Sequence, residues 1–264
     1  MFNRSGKLKS RTVSLRHLDK ATCDKMWQLF KQYYTEICRD RFELDLAQKT
    51  AVILLLDSGD KSIQGFSTIE VYKRVIDGKP VHAVYSGDTI ISQDYWGQSA
   101  LQIAFAQFLV KELVRNRFRP IHWFLISKGY KTYLLFSRNL KEYYPRHDKP
   151  TPAWERSVIH ALASEKFKES WHPEEGVLRF PEPQGRLLEG VAPIDHSLIV
   201  QHSDIRFFSE NNPGHIVGDE LCCIGKFDLD AFKYFCSRLR KKVYNPMRVS
   251  YQKIIHRLSD SLGI

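Results

Sequence analysis

The sequence predicts an α+β fold of three layers, a mixed and mostly antiparallel sheet flanked by helices, followed by a C-terminal α+β extension. Three observations predict it. Helix and strand patterns alternate without long breaks over the first half of the 264 residues. Continuous apolar runs such as AVILLL, starting at Ala51, read as strands covered on both faces. The texture then changes at the proline- and charge-rich stretch from Pro145 to Pro152, which separates a core of residues 1–141 from an extension of residues 142–264 packed on it.

The elements follow in order. RTVSLRHL, Arg11 to Leu18, alternates like a first strand. Thr22 is placed to cap a helix whose apolar residues Met26, Leu29, Phe30, Tyr33 and Ile37 recur at helical spacing. A short helical piece runs from Phe42 to Gln48, and the buried strand AVILLLD then closes on a turn signal. IQGFSTIEVYKRVI and VHAVYSGDTIIS are the next strands, joined as a hairpin through Asp77-Gly78, a pair suited to a tight turn. Ser99 to Arg115 is a helix with apolar residues on almost every side, so it lies between layers. Pro120 ends the connection, IHWFLIS is another buried strand, and GYKTYLLFSRNL is an aromatic-rich helix. In the extension, Trp154 to Phe167 reads as a helix, LIVQHSDIRFF and GDELCCIGKF as strands, and Leu229 to Val243 as a helix started by Asp228. A last helix places Tyr251, Ile254, Ile255, Leu258 and Leu262 on one face.

The formal charge of +10 favours acidic partners: nucleic acid, anionic headgroups, nucleotide cofactors or an acidic carrier protein. Only RLRKK, Arg238 to Lys242, forms a compact basic cluster, and no nucleic-acid motif accompanies it, which argues against DNA or RNA. No apolar run approaches the ~20 residues of a membrane span, and MFNRSGKLKSRT lacks the apolar segment of a secretory signal, so the expected location is cytoplasmic. Five cysteines without a CxxC pair give neither a disulfide framework nor a zinc pattern. His147, His160, His172, His202 and His215 lack metal-ligand spacing, and no metal is expected. No cysteine stands out as a nucleophile, Cys38 or Cys222 with a distant histidine being the alternative. Asp195, His196 and Ser197 carry the hydrolase triad types, but consecutive residues of an extended chain do not point at one another.

Strand, two helices, three antiparallel strands, long helix, strand and helix, from about Arg11 to Leu140, is an order that resembles the GNAT-type N-acyltransferase superfamily. In that family the fourth strand enters the third helix through a turn written Q/R-x-x-G-x-G/A. Here the matching text is QDYWGQSAL, Gln93 to Leu101. Gly97 is kept, while Trp96 stands at the Gln/Arg position, Ser99 at the first motif glycine and Leu101 at the last position. A tight strand-to-helix turn leaves the first helical N–H groups unpaired at the positive end of the helix dipole, a geometry that binds pyrophosphate.

The resemblance implies that Gly97, Gln98, Ser99, Ala100 and Leu101 offer amides to the diphosphate of coenzyme A. It also implies that the splayed fourth and fifth strands, with Ile91 on one and Ser127 ending the other, accept the pantetheine arm like an added strand. Tyr133, with Tyr130 one turn earlier, is then the candidate acid for the departing thiolate. Asp88 and Glu70, and equally His82, are candidates for the base, and strand alternation alone does not say which faces the cleft. The implied function is transfer of an acyl group from a thioester to a small-molecule or other amine acceptor by direct attack. Acyl-CoA and acyl carrier protein rank equally as donors, because the basic charge suits an acidic carrier. Two other readings stand beside it: a GNAT-fold binding protein without catalysis, favoured by the missing motif glycines, and a basic polyanion-binding protein using Arg238 to Lys242.

Overall fold

The computed structural model describes residues 6–182 and 184–241. Strand β1 (Leu8–Ser14) leads into helix α1 (Lys20–Phe30), the short strand β2 (Tyr34–Thr35) and helix α2 (Arg39–Ala47). Strands β3 (Ala51–Asp57), β4 (Ile63–Ile76) and β5 (Lys79–Ile91) follow, then α3 (Ala100–Arg115), β6 (Ile121–Ser127) and α4 (Tyr130–Asn139). Beyond them come β7 (Tyr143–Tyr144), α5 (Ala153–Phe167), β8 (Trp171–His172), β9 (Val177–Leu178), β10 (Arg186–Leu187), α6 (His196–Gln201), α7 (Ser203–Asn211) and β11 (Glu220–Phe227). The chain is helical again over residues 229–241.

One nine-stranded sheet runs β1-β3-β4-β5-β6-β11-β9-β8, with β7 beside β11, and β2 pairs with β10 in a second small sheet. Its named pairs are antiparallel except β5 with β6, which run parallel. Alternation along the strands makes the layers. β3 sends Ile53 and Leu55 toward α3, and Val52 and Leu54 toward α1 and α2. Helix α5 continues this second cover, packing Val158 and Leu162 with Tyr85, Phe124 and Ile224. This is the three-layer, mostly antiparallel arrangement that the sequence predicts.

Local chemistry explains where the elements start and where the expectation needs correcting. The Asp77-Gly78 turn is formed with both residues at positive φ, 47° and 73°, as a two-residue hairpin requires. Asp228 starts the last described helix by accepting the Ala231 N–H at 2.9 Å. Helix α1, however, is capped by Asp19, which accepts the Thr22 N–H at 2.7 Å, and it ends at Phe30, so Tyr33 and Ile37 fall beyond it. LIVQHSDIRFF, expected as a strand, contributes instead to α6 and α7. There Asp195 accepts the Leu198 N–H at 2.8 Å as a cap, and Ile205 and Phe208 bury themselves three residues apart. The helix expected over Tyr251 to Leu262 lies outside the described residues. Among those described, no helix is long and apolar enough to cross a membrane.

Candidate active site

Strands β5 and β6 are paired from Ala83 opposite His122 to Ser86 opposite Leu125, and then part. Beyond that point β5 stays with β4 through Thr89–Ser67, Ile90–Phe66 and Ile91–Gly65, while β6 stays with β11 as far as Ser127. A β-bulge drives them apart. Gly87 and Asp88 together oppose the single residue Thr68, and an extra residue bends and overtwists its strand. Residue 87 has to be small, because a Cβ there would lie 2.6 Å from the Thr68 hydroxyl oxygen. The bulge also resets the alternation. Ala83 and Tyr85 face α5, but after it the even-numbered Ile90 joins the α1–α2 face and Ile91 turns toward α3.

Two cavities flank this V. The larger, about 1180 Å³, lies on the α3–α4 side and is lined by Thr89, Ile91, Gly97, Gly129, Tyr130 and Lys131 among others. The smaller, about 300 Å³, opens on the opposite side beside Asp88, Lys128 and Glu220. Neighbouring residues are thus divided between them: Asp88 from Thr89 on one arm of the V, Lys128 from Gly129 on the other.

On the larger side, α3 opens without a side-chain cap, and its first bond is Ile103 N–H to the Ser99 carbonyl at 3.0 Å. The amides of Ala100, Leu101 and Gln102 therefore precede any helical acceptor. Gly97 holds the turn at φ +87°, and a side chain there would meet nothing within 4 Å, so this rim of the cavity is open. The Leu101 side chain is 2% exposed and packs into the core, while Ala100 packs against the same core. Gln98 serves the frame: its side chain accepts from Leu8 N–H at 2.9 Å and donates to the Gly6 carbonyl at 3.0 Å, and its own amide turns back to Tyr95. The Trp96 indole donates to the Ile91 carbonyl at 2.8 Å, with the Lys131 ammonium 3.2 Å above its ring. Burial lowers the Lys131 pKa and raises that of the Tyr130 hydroxyl. Arg138, Arg238 and Lys241 add positive charge to the lining; of the predicted basic cluster, Lys242 lies outside the described residues.

On the smaller side, burial and the Asp45 carboxylate push the Asp88 carboxyl up to about 7, against the pull of Lys128 and Lys49. Burial also raises Glu220, which pairs with Lys128 at 3.2 Å. Glu70 faces the same side, but it is occupied by Lys166 at 2.8 Å and Lys49 at 3.7 Å and lines neither of these cavities.

The remaining sequence candidates sit elsewhere. Tyr133 is fully buried among Tyr143, Phe207 and Phe208, and its hydroxyl donates to the Pro145 carbonyl at 3.1 Å; Tyr130 is the α4 tyrosine on the cavity wall. Ser127 is also fully buried, with its hydroxyl given to the Gly129 carbonyl at 2.9 Å. His82 lies before the paired stretch of β5 and β6, at the other end of the sheet, 3.1 Å from Glu112. Cys222 is buried in β11, while Cys38 is exposed and borders the smaller cavity. Sequence reasoning passed over Lys128, Lys131 and Glu220. Lys128-Gly129 directly after a buried strand was the available signal. Among the described residues no group of histidine, cysteine or acidic side chains is placed to hold a metal.

With strands β5 and β6 as the fourth and fifth long strands, the element order, the single parallel pair and the opened V make this a GNAT-like fold. No family model and no curated protein matches the chain. Among solved structures it is similar to a conserved protein of unknown function from Enterococcus faecalis described as a probable N-acyltransferase, at 16% identity over 60% of this chain and 44% of that one, TM-score 0.38. It is similar also to NAA60 from Arabidopsis thaliana in complex with acetyl-CoA, at 10% identity over 54% and 92%, TM-score 0.38. A third is the GNAT family N-acetyltransferase YhbS from Escherichia coli in complex with CoA, at 14% identity over 44% and 63%, TM-score 0.31. The chain spans less than half the length of the Enterococcus protein.

Proposed function

We propose that this protein is an acyltransferase that moves an acyl group from a phosphopantetheine thioester to an amine by direct attack. The observation that carries this reading is the bulge-opened V, which has a cavity on each face of the sheet, one lined by Asp88 and the other by Gly129. The larger cavity suits the donor. Its helix-start amides and its lysine and arginine side chains favour a phosphate, and the unpaired edge of β5 offers main-chain groups to the amides of the arm. Leu187, Val191, Leu198, Ile205 and Phe235 complete its wall, so the extension beyond residue 141 belongs to the donor site.

The amine enters from the smaller cavity. An ammonium first gives one proton to solvent; the neutral nitrogen then bonds to the thioester carbonyl carbon as a second proton passes to Asp88, a base poised close to neutral pH. The C–S bond breaks, and the thiolate takes the proton of Tyr130, whose burial keeps the hydroxyl protonated. Water then returns the proton from Asp88 to Tyr130, and the amide and free thiol leave.

Coenzyme A and an acyl carrier protein both present phosphopantetheine, so both belong in the test. The purified chain is incubated with a panel of acyl-CoA and carrier-protein thioesters plus amines, and free thiol is followed by a chromogenic disulfide. Amine-dependent thiol release that is lost in Asp88→Asn is the expected result. No release with any donor, together with no thermal stabilisation by coenzyme A, overturns the reading in favour of a binding protein.

A further inference from the structure

The smaller cavity also defines what kind of amine it takes, an inference that rests on the acyltransferase reading for its chemistry but on the cavity alone for its binding. Aromatic rings make its walls. Phe30 and Phe42 stand 5.5 Å apart on one side, and on the other Tyr85, Phe167 and Phe180 form a chain of edge-to-face contacts 6.1 Å apart. At about 300 Å³ it falls at the small end of ligand cavities, the size of a single compact molecule.

The charges are already matched, with one exception. Asp45 is held by Lys49 at 2.6 Å, Glu220 by Lys128 at 3.2 Å, and Lys166 by Glu70 at 2.8 Å, while Arg41 pairs with Glu182 at 3.1 Å. Asp88 has no ion pair among the described residues; Lys128 and Lys49 act on it at longer range. Every lysine and arginine on the wall is therefore committed to a carboxylate, and the unmatched group is an acid. A ligand that brings one positive charge and no negative one completes the set.

We propose that the acceptor is a small arylalkylamine, an ammonium or amine on a flat apolar body, with the nitrogen at Asp88 and the ring between the Phe30–Phe42 and Phe167–Phe180 walls. Free amino acids are disfavoured, because their carboxylate would meet no available cation. Polyamines are disfavoured too, because the cavity holds no second unmatched acid for their further charges.

Binding is tested without any donor. Calorimetry of the full chain with 2-phenylethylamine, phenylalanine, spermidine and 3-phenylpropionate is expected to show the arylalkylamine binding at least about tenfold more tightly than the others, since a charge-assisted contact of 1.5–3 kcal/mol corresponds to roughly ten- to hundredfold. Asp88→Asn should weaken the arylalkylamine by about tenfold or more, and Phe180→Leu, which keeps an apolar side chain against the core, should weaken it while the chain still melts cooperatively. Tighter binding of phenylalanine, spermidine or the carboxylate, or no binding of 2-phenylethylamine to the unaltered chain, overturns the proposal. Thiol release driven by one of those other amines would overturn this acceptor class and leave the acyltransferase reading standing, whereas 2-phenylethylamine binding without thiol release from any donor would do the reverse.

Discussion

Asp88 shows how one residue links chemistry to stability. It must be ionised to take the amine proton, so kcat/KM is expected to rise as pH climbs through about 7 and to go on rising, less steeply, until the acceptor amine is itself deprotonated, read from a pH–rate profile. Burial sets this midpoint first, then Asp45 from α2, with Lys128 and Lys49 opposing and Glu220 from β11 adding a smaller push upward. The stability consequence has the opposite sign. Because the folded carboxyl holds its proton to about 7 and an unfolded one releases it near 3.9, the folded chain binds more protons between these values, and stability falls as pH rises through that window. Asp88→Asn is therefore expected to stabilise the fold at pH 8, by up to about 4 kcal/mol and read as a raised Tm, to leave Tm unchanged below pH 4, and to lower kcat about 100-fold or more. The two α4 tyrosines separate in the same way. Tyr130→Phe should lower kcat by about 10- to 100-fold with little change in melting, and Tyr133→Phe should cost about 1 kcal/mol of stability through the lost Pro145 bond while kcat holds, both read by denaturation and initial rates. The sequence offered Asp88, Glu70 and His82 as equals because strand parity could not rank them. The bulge that breaks parity depends on how β4 and β5 pair, and pairing is not written in either strand alone.

At the scale of elements, long apolar runs and turn chemistry were legible, and cooperative features were not. AVILLL and the Asp77-Gly78 hairpin follow from burial and backbone preference, so β3, β4 and β5 appear where the sequence puts them. LIVQHSDIRFF was misread because a short stretch of mixed apolar residues fits either period, and the deciding vote, the Asp195 cap, lies just outside it. The tight turn expected before α3 needs correcting: a 3-10 turn over Gln93–Tyr95 stands between β5 and the helix, with Gly97 after it at positive φ, and the roles of Trp96 and Gln98 needed their distant partners Ile91, Gly6 and Leu8. Gly87 gives a direct test of the bulge. Gly87→Ala drives a methyl into the Thr68 hydroxyl and is expected to cost about 1–3 kcal/mol by chemical denaturation, with activity falling further than stability as the V closes or twists.

For the molecule as a whole, the sheet runs unbroken across residue 141: β11 returns from late in the chain to pair with β6 along all of Ile121–Ser127. A chain ending at residue 141 would leave that edge of β6 unpaired and remove Leu221, Cys223 and Phe227 from the main core. It is expected to be insoluble or to lose its cooperative melting transition, checked by differential scanning calorimetry of the truncated and full chains. The change of composition at Pro145 to Pro152 was visible in the sequence, but this long-range pairing was not, because it joins segments about a hundred residues apart. The split sheet, finally, governs traffic. Each substrate of the proposed reaction has its own doorway on its own side of the molecule, and neither has to wait for the other to depart. Initial-velocity plots should therefore intersect, the pattern of a ternary complex, and an excess of amine should not exclude the thioester.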